Sequence, residues 1–216
     1  RMGLLEYFNE ARNPKNKKGN TKAYILSRDE QTYSYDVVNL MLDHGVEVYE
    51  TTQDQRLTST YDYWDADEQT RTIKKGSFVI PTEQPAHLFI HTLFRRQLEI
   101  KDSVMYDMST WTLPMAYNLD AYWSENLPSN LVRIDQKISL KGTLTQNASY
   151  AYVMDWAQRY APNALGDMLN AGFRVRTASE SFGYEGKIYS RGSIIVLVGR
   201  NLGYGDQLHG TMEEIA

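Results

Sequence analysis

The sequence contains no cysteine. That removes every disulfide, thiol nucleophile, cysteine-ligated zinc and iron–sulfur centre, and it leaves the redox compartment unmarked. Histidine is scarce at four residues, so a zinc site would have to be built from those and from carboxylates. No apolar run approaches the roughly 20 residues that span a bilayer, and the mean hydropathy of −0.53 points to a soluble chain. Basic excess is missing too. With 23 Lys+Arg against 27 Asp+Glu the net charge is −4, which repels a phosphate backbone and excludes nucleic acid as an expected partner. The amino end, Arg1-Met2-Gly3-Leu4-Leu5-Glu6, lacks a signal peptide's apolar segment and small-residue cleavage site, so the chain reads as a mature piece cut from something longer.

What is plentiful is tyrosine, with 16 in 216 residues. Tyr61, Tyr63 and Trp64 cluster with Asp62, Asp65 and Asp67; such a stretch is either a sugar- or peptide-binding surface or, more commonly, a solvated loop with partly buried rings. Residues 1–21 read as a short helix over Met2–Ala11 followed by a basic linker, Arg12 to Asn20. Residues 22–216 then read as one α/β domain, long enough to bury a core without staples.

Within that domain Ala23-Tyr24-Ile25-Leu26 predicts a buried strand, Tyr33 to Asp43 an amphipathic helix stopped by Gly45, and Val46 to Tyr49 a second strand. A polar loop leads to the strand Ser77 to Ile80 and a helix from Pro85 to Arg95. The same order returns about 128 residues later. Ala151 to Met154, Pro162 to Ala171, Phe173 to Val175 and Ile194 to Val198 repeat strand, helix, strand and strand. Ala23/Ala151, Tyr24/Tyr152, Met41/Met168, Leu42/Leu169, Gly45/Gly172, Val48/Val175, Gly76/Gly192 and Ser77/Ser193 coincide. Two explanations stand: a duplicated β-α-β-β-α unit (22–98 and 149–216) or the features that any two such units share. The segment 99–148 between them predicts a helix over Asp107 to Ala116, with Trp111 inward, and a strand at Ile138-Ser139-Leu140. Apolar rather than alternating strands between helices predict a mostly parallel sheet covered on both faces, in a doubly wound three-layer arrangement of flavodoxin-like type.

In such sheets ligands sit at the carboxyl ends of strands. That singles out Asp155 with Trp156, able to accept hydrogen bonds and stack on a small polar ligand, and Arg200. Gly199-Arg200-Asn201-Leu202-Gly203-Tyr204-Gly205 resembles the cofactor turn of short-chain dehydrogenases, whose glycines admit a pyrophosphate. Only 11 residues follow Gly205, too few for the next strand and its ribose-binding acid, and the Tyr-x-x-x-Lys pair of that family is absent. His44-Gly45-Val46-Glu47 has the H-x-x-E spacing of two zinc ligands, but Gly45 is a helix stop and Ala171-Gly172-Phe173-Arg174 occupies the equivalent place. His87 and His91 lie one helical turn apart, with Leu88 where H-E-x-x-H needs its base; they read as partly exposed helix histidines. No G-x-S-x-G elbow is present. No catalytic or metal-ligating residue is assigned.

Gly45-Val46-Glu47-Val48-Tyr49, Lys74 to Pro81 with Gln84-Pro85, and Tyr106-Asp107 through Trp111-Thr112-Leu113-Pro114 together resemble a part of bacterial zinc carboxypeptidase-like proteins of the carboxypeptidase A superfamily that carry a second domain. The resemblance implies a non-catalytic accessory domain with a class I glutamine amidotransferase-like fold, without that class's Cys-His-Glu triad. It further implies secretion or a periplasmic location, an upstream peptidase domain of the same polypeptide as partner, a peptide as a conceivable ligand, and zinc held only upstream of Arg1. The alternative is a nucleotide or dinucleotide binder that uses Gly199 to Gly205.

Overall fold

A computed structural model describes residues 2–11, 13, 19–29, 33–96, 112–139, 142, 144, 146–205 and 207–216. The basic run 14–18 and residues 107–111, including Trp111, lie outside the described residues, as do Tyr106 and Leu140. The chain divides into two compact units, Arg1–Ile138 and Ser139–Ala216. No helix among the described residues is long and apolar enough to cross a membrane.

Unit 1 opens with α1 (Met2–Ala11), whose Leu4, Leu5 and Phe8 are exposed. It continues through β1 (Ala23–Leu26), α2 (Tyr33–Asp43), β2 (Tyr49–Thr51), β3 (Gln55–Asp62), β4 (Glu68–Ile73), β5 (Phe78–Pro81), α3 (His87–Phe94), α4 (Leu113–Ala116), β6 (Ala121–Ser124) and β7 (Leu131–Arg133). Among the described residues its seven strands form one sheet in the order β4-β3-β6-β1-β5-β2-β7, and every ladder is antiparallel. Unit 2 has β8 (Ala151–Met154), α5 (Ala161–Asn170), β9 (Val175–Thr177), β10 (Phe182–Tyr184), β11 (Lys187–Tyr189), β12 (Ile194–Leu197), two 3-10 turns at Val198–Arg200 and Leu202–Tyr204, and α6 (Gln207–Ile215). Its three-stranded sheet, β8-β12-β9, is antiparallel as well, and β10–β11 is a separate hairpin.

The expected parallel three-layer sheet is therefore overturned, and with it the likeness to flavodoxin-like and class I glutamine amidotransferase-like folds. The physical reason lies in what an apolar run reports. Tyr24 and Leu26 face α2 and α3 across a core with Val37, Val38, Met41, Ile90 and Phe94, while Ala23, Ile25 and Val79 pack with Leu57 and Ile73 on the other face. Both faces are covered, so the strands carry no polar alternation whatever their direction. Each fully buried side chain of this size contributes about 2 kcal/mol. The crossover from β1 through α2 to β2 does leave those two strands parallel to each other, but β5 lies between them and runs against both. The expected polar loop before β5 is the β3–β4 hairpin; a bulge between Leu57 and Thr60, with Ser59 at φ 50°, bends it and lets Leu57 and Ile73 reach the second face. The connecting segment supplies β6 and β7, and Ile138 and Ser139, expected in a strand, are in none.

Three strands of each unit share one register. β1 pairs with β5 as Ala23↔Pro81 through Leu26↔Phe78, and β8 with β12 as Ala151↔Leu197 through Met154↔Ile194. Tyr49↔Val79 and Glu50↔Phe78 are matched by Arg176↔Ile195 and Thr177↔Ile194. Each helix ends alike: Gly45 N–H donates to Leu42 and Val46 N–H to Met41, as Gly172 does to Leu169 and Phe173 to Met168. Gly45 and Gly172 hold φ of 70° and 82° there, the left-handed stop that only glycine takes without strain. Tyr24 Oη lies 3.0 Å from His91 Nδ1, and Tyr152 makes the same hydrogen-bonded pair with His209.

Candidate functional site

The site grows out of the turn between α5 and β9. After Gly172 the chain alternates: Phe173 is buried, Arg174 exposed, Val175 half-buried and Arg176 exposed, the period of a strand with one wet face. Phe173 packs into the core with Met168, Ile194 and Val196 and meets the Tyr204 ring edge-on at 5.0 Å. Arg174 is pinned through its backbone. Asn201, 2% exposed, accepts from Arg174 N–H at 2.8 Å and donates to Arg174 C=O at 3.3 Å and Leu197 C=O at 2.9 Å. Arg200, at the end of the first 3-10 turn, precedes this asparagine directly.

A cleft of about 520 Å³ results, lined by Leu169, Phe173, Arg174, Val175, Arg176 and Arg200. Among the described residues none of the three guanidinium groups has a carboxylate within ion-pair distance, whereas Arg28, Arg71 and Arg133 of unit 1 pair with Glu50, Asp62 and Glu47. Three planar, permanently charged forks beside an apolar floor suit a carboxylate or phosphate, which they can hold bidentately. The six lining residues include no carboxylate, hydroxyl or imidazole, so this cleft is equipped to bind and orient.

Of the residues singled out in the sequence, Arg200 lines the cleft, and Asp155 and Trp156 do not. Asp155 Oδ1 accepts from Ala157 N–H at 3.1 Å and from Ser190 Oγ at 3.0 Å, a local turn-forming role, and Trp156 is 44% exposed. The Gly199 to Gly205 loop forms the two 3-10 turns, and a Cβ at Gly199, Gly203 or Gly205 would meet open space. Of the three, only Gly205 holds a positive φ, 50°, the conformation that calls for glycine.

His44 and Glu47 part company at the helix stop: the His44 ring lies 4.7 Å from that of Phe89, while Glu47 pairs with Arg133 and accepts from the Tyr49 hydroxyl at 3.0 Å. His87 departs from the expected partial exposure. It is 1% exposed and its Nδ1 has no hydrogen-bond partner among the described residues, because the first turn of α3 is drawn into the core by Ile90 and Phe94. No group of three or more His, Asp or Glu among the described residues is placed to hold a metal ion. In the aromatic stretch Tyr63 is buried, its hydroxyl donating to Phe94 C=O at 2.5 Å, Tyr61 stacks on Trp123, and Trp64 stays exposed.

Sequence reasoning missed Arg174 and Arg176 as site residues. Their signal was available in the pairing of Gly45 with Gly172, which sets Arg174 against Glu47 and Arg176 against Tyr49. The chain matches no protein-family model, no curated protein and no solved structure.

Proposed function

We propose that this chain is a non-catalytic binding module whose ligand carries carboxylate or phosphate groups, held by Arg174, Arg176 and Arg200. One observation carries the reading: three arginines whose side chains make no ion pair among the described residues line one cleft in a chain whose net charge is −4. Their exposed guanidinium forks can hold a carboxylate or a phosphate bidentately. The resemblance to zinc carboxypeptidase-like proteins gives the module a place, as an accessory domain that presents peptide to a peptidase domain preceding it, outside the cytoplasm. The zinc of such an enzyme would be held by that preceding domain, since His44 and Glu47 point to different partners in this chain.

A second reading rests on Arg200, which brings the Gly199 to Gly205 loop to the cleft: a nucleotide would then lay its phosphates on the same arginines. A thermal-shift series with an acidic peptide, a basic peptide, NAD(P) and mononucleotides separates the two. At hundredfold excess over Kd the preferred ligand should raise Tm by about 5 °C or more, and Arg176→Ala with Arg200→Ala should abolish the shift. No shift with any anionic compound, or peptide hydrolysis by the intact chain, would remove the proposal.

A further inference from the structure

Among the described residues β9 is an edge strand, paired with β12 on one side only. Its counterpart in unit 1 is not. There β2 lies between β5 and β7, and β7 adds antiparallel with Tyr49 across from Arg133, Glu50 from Val132 and Thr51 from Leu131. The Ile134 N–H donates to Val48 C=O at 2.9 Å; Val175, which matches Val48, pairs with Val196 of β12 and, among the described residues, has no strand on its other side. Unit 1 therefore shows a strand that the described residues of unit 2 do not supply.

The side chains say what would complete it. Arg133 of β7, across from Tyr49, reaches diagonally to Glu47 and pairs with it at 3.1 Å. In unit 2 Arg174 replaces Glu47 and Arg176 replaces Tyr49, so the sign of the edge is inverted. A strand filling this place needs an acidic residue across from Arg176, within diagonal reach of Arg174. Arg200 lines the same cleft and would meet a further carboxylate. Two copies of β9 would set arginine against arginine, which discourages self-pairing of this edge.

We infer that the open edge of β9 takes an extended acidic peptide as an added antiparallel strand, in the place that β7 holds on β2. The inference rests on the cleft being an anion site and names its ligand class. Main-chain hydrogen bonds to Val175 and Thr177 supply affinity, and the arginines select alternate acidic side chains.

The test is fluorescence polarisation on the intact chain with a labelled, capped peptide, Thr-Val-Glu-Val-Glu-Val-Thr. Comparison peptides replace Glu with Lys, or carry N-methyl groups on one or the other alternate set of amides. An antiparallel edge uses alternate amides, so one methylated set should weaken binding by about tenfold or more while the other is tolerated. The paired substitutions Arg174→Glu and Arg176→Glu, both at exposed side chains, should invert the preference toward the lysine peptide. If both methylated peptides bind as tightly as the parent, strand addition is wrong although the anion site survives. If phosphate or a dinucleotide binds and no acidic peptide does, the peptide assignment fails; if nothing anionic binds, the anion reading falls with it.

Discussion

Asn201 holds Arg174 by its own peptide group, accepting from its N–H and donating to its C=O, as Gln84 holds Glu47 in the other unit. Gln84 Oε1 accepts from Glu47 N–H at 2.7 Å, and its Nε2 donates to Glu47 C=O at 3.1 Å and to Pro81 C=O at 2.7 Å. Both amides are buried, at 3% and 2% exposure, so each closes backbone groups at a helix-to-strand turn that water does not reach. Asn201→Ala leaves one donor and two acceptors without a partner and should destabilise by about 2–3 kcal/mol. It should also weaken anion binding, because the Arg174 backbone is no longer fixed. Gln84→Ala should reproduce the stability loss and leave binding unchanged. Urea titration with a binding isotherm on each variant checks both halves; a loss under about 0.5 kcal/mol for Asn201→Ala would show that the amide is not a strut.

The residues that make these turns were readable in the chain, and the direction of the strands was not. Gly45 and Gly172, Met41 and Met168, Gly76 and Gly192 stand at matching positions because a left-handed stop and a core-facing methionine leave marks on composition. Direction leaves none: Phe78-Val79-Ile80 would look the same in a parallel or an antiparallel sheet once both faces are covered. The sheet's long-range partners were hidden for a related reason. β6 and β7 are short, and Tyr122 and Val132 join strands about 70–100 residues away in sequence, which no local periodicity reports. At the site, Arg200 stood out within a glycine-rich loop, whereas Arg174 and Arg176 carry no local signal: what sets them apart is the edge position of β9 among the described residues, a long-range property.

Gly45 and Gly172 share a conformation and differ in surroundings, which separates two costs. An alanine Cβ at Gly45 meets open space, while one at Gly172 would lie 2.6 Å from the Tyr204 hydroxyl, which donates to Gly172 C=O at 2.7 Å. Gly45→Ala should cost about 1 kcal/mol, the left-handed backbone penalty alone. Gly172→Ala should cost more, about 2–3 kcal/mol, since Tyr204 must also move and give up its hydrogen bond. Adding Tyr204→Phe to Gly172→Ala should recover part of the difference. Equal losses at the two glycines, measured by chemical denaturation, would place the whole effect in the backbone.

Tyrosine burial gives the chain an alkaline limit. Desolvation pushes the Tyr122 phenol up to about 12 from an ordinary 10.0, helped by its hydrogen bond to Asp120 and opposed by Arg71, whose guanidinium sits 4.5 Å over the ring. Burial raises Tyr24 and Tyr63 as well. A folded-state value above the unfolded one means that, as pH rises past about 10, the unfolded chain loses these protons first. It then binds fewer protons than the native state, and stability falls with pH. Below about pH 10 both states are protonated and the contribution is whole; through about pH 12 it is progressively lost. Urea midpoints should therefore hold steady below pH 10 and drop beyond it, with native phenolate absorbance lagging the value for unfolded chain. Tyr122→Phe should make the drop shallower. A midpoint that stays level to pH 12, or a Tyr122→Phe variant that falls as steeply as the parent, would show that these phenols are ionised as freely in the fold as in water.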